Sequence, residues 1–171
     1  MEFQDIIERR YACRRYRGDQ VEEWKLDRIL AAANRAPSAK NRQSPRIYVL
    51  RSAQALDTLD TLTHCRYGAS MVLLFAYDAG EEWHNPTGSG ARSGVEDASI
   101  AATFAMLEAT ELGLATCWCN SFDNADLERR FGLPERERSV LIMPVGYAAN
   151  EATPAPTHAV RKPLAEMVRT L

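Results

Sequence analysis

Five arginines, Arg9, Arg10, Arg14, Arg15 and Arg17, fall within nine positions near the start of the chain. A guanidinium can hold a phosphate by paired hydrogen bonds, so this segment is a candidate for binding a phosphate ester, with a solvated basic surface as the plain alternative. A second polar stretch runs from Ala36 to Pro45. Its Ser38, Asn41 and Gln43 carry donors and acceptors that match the mixed edge of a heterocycle, Lys40 and Arg42 add only charge, and Pro37 and Pro45 stiffen it. A third group, Trp118, Cys119, Asn120 and Ser121, closes a strand-like run and brings polar side chains and backbone amides to a sheet edge. Cys117 and Cys119, with His64 and Cys65, allow a thiol or metal reading, although small hydrophobic filling is the commoner fate of a core cysteine. With His64, His84 and His158 as the only histidines, no Ser, His and Asp set stands out for acyl transfer. Gly88, Gly90 and Gly94 lack the strand-to-helix setting and spacing of a dinucleotide fingerprint.

These groups need elements to hold them. Val95 to Leu112 reads as a central helix with an alanine face (Ala98, Ala101, Ala102, Ala105, Ala109) and a second apolar stripe (Ile100, Phe104, Leu107), so it should be largely buried. It stops at Gly113 and feeds a strand over Leu114 to Cys119. Before it come a short helix around Phe3, Ile6 and Ile7, a helix starting near Asp19 or Gln20 and closed by Pro37, and a strand over Ile47 to Leu50. A helix capped by Ser52 and a buried strand over Met71 to Tyr77 follow. After it come a helix over Ala125 to Phe131 ended by Gly132 and a strand over Val140 to Val145. The proline-punctuated tail should cross a surface before Leu164, Met167, Val168 and Leu171 dock as an amphipathic helix. The connection 78–94 is long and glycine-containing. Its Trp83 and His84 suit a lid over a planar ligand, with an ordinary surface loop equally open.

The chain of 171 residues, 46% hydrophobic and 26% charged, fits one domain. A formal charge of -2 gives no general pull toward nucleic acid or anionic membranes, and no apolar run reaches the length of a membrane span. With acidic residues at 2, 5 and 8, where a targeting peptide avoids them, a cytoplasmic protein with reduced thiols is expected.

Three blocks together carry a resemblance: Arg10 and Arg14 in the arginine segment, the run Ala-Pro-Ser-Ala-Lys-Asn-Arg-Gln from Ala36 to Gln43, and the Asp97 helix leading into Gly113-Leu114-Ala115-Thr116-Cys117-Trp118. In this order and spacing, with Arg161-Lys162-Pro163-Leu164 near the end, the sequence resembles the FMN-dependent nitroreductases over nearly its whole length. The resemblance implies an α+β fold, a mainly antiparallel central sheet flanked by helices, in one domain over residues 1–171. It further implies an intertwined homodimer holding two FMN molecules, with residues 150–171 reaching over the partner. It places the FMN phosphate with Arg10, Arg14 and Arg161 or Lys162, along a wall of Tyr11 and Ala12, the latter a serine in many members. Asn41 and Gln43, beside Pro37, Ser38 and Ala39, would face the pyrimidine ring from the other subunit. Trp118 and Cys119 would lie beneath the ring, with Asn120 and Ser121 at N5, where Glu-Gly or Ile-Gly is more usual. No side-chain acid or base is required, because the cofactor carries the electron chemistry. The implied activity is ping-pong, two-electron transfer from NAD(P)H to a nitroaromatic, quinone or related small acceptor. A flavin-binding or cofactor-modifying protein without NAD(P)H turnover is the alternative, and a thiol or metal protein using Cys117 and Cys119 the less favoured one.

Overall fold

The computed structural model describes residues 2–88 and 90–171. Among these, four strands form one antiparallel sheet: β1 (Pro45–Leu50), β2 (Met71–Asp78), β3 (Ala115–Thr116) and β4 (Glu137–Gly146), ordered β1-β2-β4-β3. The helices are α1 (Phe3–Arg9), α2 (Glu23–Asn34), α3 (Ala53–Asp60), α4 (Gly94–Glu111), α5 (Asn124–Phe131) and α6 (Leu164–Met167). This is the α+β arrangement expected.

Side chains alternate across a strand, and β2 shows what that does here. Met71, Leu73 and Phe75 pack with Val21, with Leu26, Ile29 and Ala33 of α2, and with Ala102, Ala105 and Ala109 of α4. Val72 and Leu74 face the opposite way, toward Leu59 of α3, Leu127 of α5 and the thiols Cys65, Cys117 and Cys119. Helices therefore cover both faces, which is why β2 reads as an unbroken apolar run. Each fully buried side chain of this size contributes about 1.5–3 kcal/mol.

The alanine face of α4 is buried as expected, Ala98, Ala101, Ala102, Ala105 and Ala109 all against the core. Its second stripe is not. Phe104 is 39% exposed and Ile100 and Leu107 are only half-buried. Gly113 takes a left-handed φ of 75°, and Leu114 N–H returns to the carbonyl of Ala109 at 2.8 Å, so the helix closes as its glycine predicts.

Three boundaries differ from expectation. α2 begins at Glu23 because Asp19 is engaged elsewhere: its carbonyl accepts from the Ser70 hydroxyl at 2.6 Å and its carboxylate pairs with Arg17 at 3.1 Å. The expected strand over 114–119 shortens to Ala115–Thr116. Pro144 of β4 lies next in register and has an acceptor but no N–H, so Cys117 N–H reaches its carbonyl only at 3.4 Å, and pairing resumes as a single bridge between Cys119 and Ile142. The tail does not dock on its own chain. α6 is four residues long, and Leu164 and Met167 are 76% and 70% exposed.

Candidate functional site

The arginine segment runs along the β3 edge of the sheet. Ala12 bridges Thr116 in parallel, Cys13 N–H donates to the Thr116 carbonyl at 2.9 Å, and Tyr16 bridges Ala148, so residues 12–16 lie between β3 and the chain leaving β4. Arg15 pairs with Glu151 at 3.7 Å and Arg17 with Asp19 at 3.1 Å. Arg10 and Arg14 pair with no carboxylate among the described residues. They do not converge on one hollow: Arg10 and Tyr11 line a cavity of about 200 Å³ with Thr110, Gly113 and Thr116, whereas Arg14 borders another with Arg15, Glu151 and Thr153. The pKa of Arg14 is raised, mainly by the negative charge available at Cys117 and less by the nearby Tyr67 hydroxyl.

Behind Arg14 the chain gathers three thiols. Cys119 donates to the Cys117 sulfur at 3.6 Å, and the Tyr67 hydroxyl donates to the Cys65 sulfur at 3.5 Å. The Cys117 thiol is lowered to about 7 by the Cys119 hydrogen bond, against the opposing effect of burial, and with help from Arg14. Cys119, giving that hydrogen bond and buried beside other sulfurs, is pushed up. No group of three or more His, Cys, Asp or Glu side chains that could hold a metal ion occurs among the described residues, so the metal reading of Cys117, Cys119, Cys65 and His64 has no ligand set to stand on.

Beyond the thiols the backbone turns outward. Trp118 is partly exposed, and Asn120 and Ser121 are exposed. The Asn120 side chain donates back to the Val140 carbonyl at 2.7 Å, and the Ser121 carbonyl accepts from Thr63 at 2.7 Å. The backbone N–H groups of Asn120 and Ser121 donate to nothing among the described residues. Two oriented donors thus end this edge free for an acceptor.

The turn from Pro37 to Gln43 lies beyond the opposite edge, before β1. Lys40, Asn41 and Gln43 hold φ of 53°, 54° and 53°, each costing about 1 kcal/mol or more, and tertiary bonds impose them. Ala39 N–H donates to Oδ1 of Asp97 at 2.9 Å, while Ser44 and Ser93 hydroxyls donate to Oδ2 at 3.2 and 2.8 Å. Gln43 N–H donates to the Ser38 hydroxyl at 3.0 Å, and Arg42 Nε to the Glu81 carbonyl at 2.8 Å. Pro37, Ser38 and Gln43, with Leu30, Ile47 and Asp97, line a cavity of about 320 Å³. Asn41 is exposed. Asp97 is the residue whose role the sequence reading missed; its signal was an acid in the first turn of α4, four residues after Ser93.

The connection 78–94 belongs to this same side, and Ser89 within it lies outside the described residues. It is a pinned ribbon rather than a loose loop. Ser93 N–H donates to the Trp83 carbonyl at 3.0 Å, His84 bridges Arg92, and Asn85 N–H donates to the Ala91 carbonyl at 2.9 Å. Buried Glu82 accepts from Arg92 at 3.0 Å and from Gly94 N–H at 3.1 Å, with His84 Nε2 at 3.4 Å. Trp83 is half-buried, its backbone N–H donating to the Ser93 hydroxyl at 3.1 Å beside Asp97, and His84 is exposed. Arg161 and Lys162 are exposed. Arg161 donates to the carbonyls of His158 and Val160, and the His158 ring stacks edge-on to Tyr11 at 6.3 Å, which brings the tail past the arginine segment.

The expected site residues therefore fall into two sets: Arg10, Tyr11, Ala12, Arg14, Trp118, Cys119, Asn120 and Ser121 at the β3 edge, and Pro37, Ser38, Ala39, Asn41, Gln43, Trp83 and His84 beyond β1. Three inter-strand spacings, about 14 Å, separate the two edges. One chain does not bring the sets together.

The family model described as "Nitroreductase family" matches residues 7–67 and 64–147. A nitroreductase family protein from Clostridium difficile 630 is 32% identical, with a TM-score of 0.92 over 100% of both chains. A protein of Exiguobacterium sibiricum 255-15, provisionally named a nitroreductase and solved in complex with FMN, is 19% identical and shares the fold, with a TM-score of 0.86 over 100% of this chain and 98% of that one. A Methanothermobacter thermautotrophicus protein, provisionally named NADH dehydrogenase/NAD(P)H nitroreductase, is 27% identical over 87% of this chain and 78% of its own length.

Proposed function

The chain belongs to the nitroreductase family, and from that premise we propose that it is an FMN-dependent oxidoreductase that takes electrons from NAD(P)H and passes them to a small acceptor such as a nitroaromatic or quinone. The observation that carries this reading is the β3 edge, where cations without carboxylate partners and backbone amides without acceptors lie along one segment. Arg10 and Arg14 lack carboxylate partners among the described residues, which suits them to the phosphate of FMN, with Arg161 or Lys162 added from the passing tail. The free amides of Asn120 and Ser121 suit a flavin nitrogen that accepts a hydrogen bond and tolerates negative charge nearby. FMN, when bound, supplies the two-electron chemistry, and the protein's part is to anchor, orient and tune it. Tyr11, Ala12, Trp118 and Cys119 supply the wall between the charged and amide ends. No side-chain acid or base is required of this chain.

The opposite set completes the site in a homodimer. Pro37, Ser38, Ala39, Asn41 and Gln43 are held rigidly but lie an entire sheet away, so a second copy must supply them to the first copy's β3 edge. The uncovered stripe of α4 at Phe104 and the bare tail at 150–171 are apolar surfaces that such a partner would cover. Trp83 and His84 would then flank the acceptor from the partner's side. Among the described residues no helix is long and apolar enough to cross a membrane, and we place the protein in the cytoplasm, without a nucleic-acid partner.

The test is the visible spectrum of the purified protein, followed by anaerobic NADH or NADPH. A flavin spectrum that bleaches supports the oxidoreductase. Bound flavin that stays oxidised favours a binding or cofactor-modifying role, and protein that neither carries nor takes up FMN overturns the reading. Sedimentation checks the dimer.

A further inference from the structure

The dithiol beneath the β3 edge has chemistry that the flavin reading does not use. We propose that Cys117 and Cys119 form a redox-active pair that a small peroxide closes to a disulfide and a thiol reductant reopens. The sulfurs stand 3.6 Å apart, 2% and 6% exposed, and face the same side of an edge segment. Bond formation needs them at about 2.05 Å, so they must approach by roughly 1.5 Å.

The backbone permits that approach. Cys119 is held to Ile142 by hydrogen bonds of 3.0 Å in both directions, but Cys117 is tied to β4 only by its 3.4 Å contact with Pro144, so Cys117 is the end that can move. Trp118 between them is 37% exposed and belongs to none of the core clusters. The roles of the two sulfurs differ. Cys117 accepts the Cys119 hydrogen bond and faces Arg14, which stabilises the thiolate and makes it the attacking sulfur. Cys119 keeps its proton and resolves.

The steps balance. The Cys117 thiolate attacks one oxygen of hydrogen peroxide and breaks the O–O bond, giving Cys117 sulfenic acid and hydroxide, which takes up a proton to become water. Cys119 sulfur then attacks the sulfenyl sulfur, the S–S bond forms, and a second water leaves with the Cys119 proton. Two electrons pass from the two sulfurs to one peroxide. Burial restricts the oxidant to a small uncharged molecule.

Trypsin separates the candidates, since Cys117 and Cys119 share fragment 93–129 while Cys13 and Cys65 fall in 11–14 and 52–66. The full-length protein as purified is reduced, treated with hydrogen peroxide, blocked with an alkylating agent, digested and weighed. The expected result is a 93–129 fragment lighter by about 2 Da than its dithiol form and unalkylated, restored by dithiothreitol. Cys117→Ala should slow loss of the Cys119 thiol at least 10-fold, and Cys65→Ala should leave the product unchanged. A cross-linked pair of fragments 52–66 and 93–129, stepwise oxygen addition without the 2 Da loss, or two alkylated thiols in 93–129 would each overturn the proposal. The mass readout requires no flavin, so its failure is separate from failure of the function proposed above.

Discussion

The two edges of the sheet are built to opposite rules. On the β1 side the buried acids that hold the turn are spoken for: both oxygens of Asp97 are hydrogen-bonded, Glu82 is buried under Arg92 and Gly94, and the left-handed residues 40, 41 and 43 are held in place. On the β3 side the groups with the strongest chemistry have no such partners among the described residues: Arg10 and Arg14 without carboxylates, two backbone amides without acceptors, a dithiol without a bond. The difference teaches where the protein keeps its rigidity and where its reactivity. Substitutions on the first side should therefore cost stability, and on the second side should cost binding or chemistry while stability holds.

The largest effect should come from Asp97→Ala, which strips three donors of a buried charged acceptor at once. A loss of about 3 kcal/mol or more is expected from urea unfolding, with Asp97→Asn recovering part of it. A loss below about 1 kcal/mol would break the comparison, because the turn would then hold itself. Next is Gly94→Ala. An added Cβ there would lie 2.2 Å from Cδ2 of Tyr77 and 2.7 Å from Oε2 of Glu82, so the start of α4 must shift, at about 1–3 kcal/mol in the same assay.

Arg14→Ala tests the other edge. Stability should change by less than about 0.5 kcal/mol, while FMN affinity measured by fluorescence quenching should fall about 10-fold, near 1.4 kcal/mol. Unchanged affinity would remove Arg14 from the site. The last test is a pH dependence. The Cys117 thiol is lowered from 9.0 to about 7 in the fold, so between these values the unfolded chain binds the extra proton. Its stabilisation is present in full above about pH 9 and is lost as pH falls through about 7. Unfolding free energy should rise across that window in the native protein and rise less in Cys117→Ala; equal slopes would mean that Arg14 and Cys119 do not hold a thiolate there.

Periodicity made the elements legible where one face or both faces of the core decide them. The run Met71 to Tyr77 and the alanine face of α4 are where they were expected because burial on the sheet leaves a pattern in the residue types. Boundaries set by a distant partner were not legible. The shortening of β3 depends on Pro144, about thirty residues downstream, and the late start of α2 depends on Ser70 taking the Asp19 carbonyl. The candidate site divides in the same way. Arginines and the proline-flanked turn stand out by type, and the end of the strand-like run at Asn120 and Ser121 pointed to backbone amides at a sheet edge, whereas only the family resemblance gave those amides a partner atom. The service of Asp97 to the turn was hidden because the two are 58 residues from Ala39 to Asp97 and joined only in space. Phe104 misled because apolar periodicity marks a face suited to burial without saying what packs on it.

Pro144 has one more consequence, for how copies of this protein can meet. A sheet edge with a long row of unsatisfied N–H and C=O groups invites another strand to add to it and can seed open-ended aggregation. Here the ladder to β3 stops after two residues at the proline, and the arginine segment lies alongside what remains. That side offers no continuous template for strand addition.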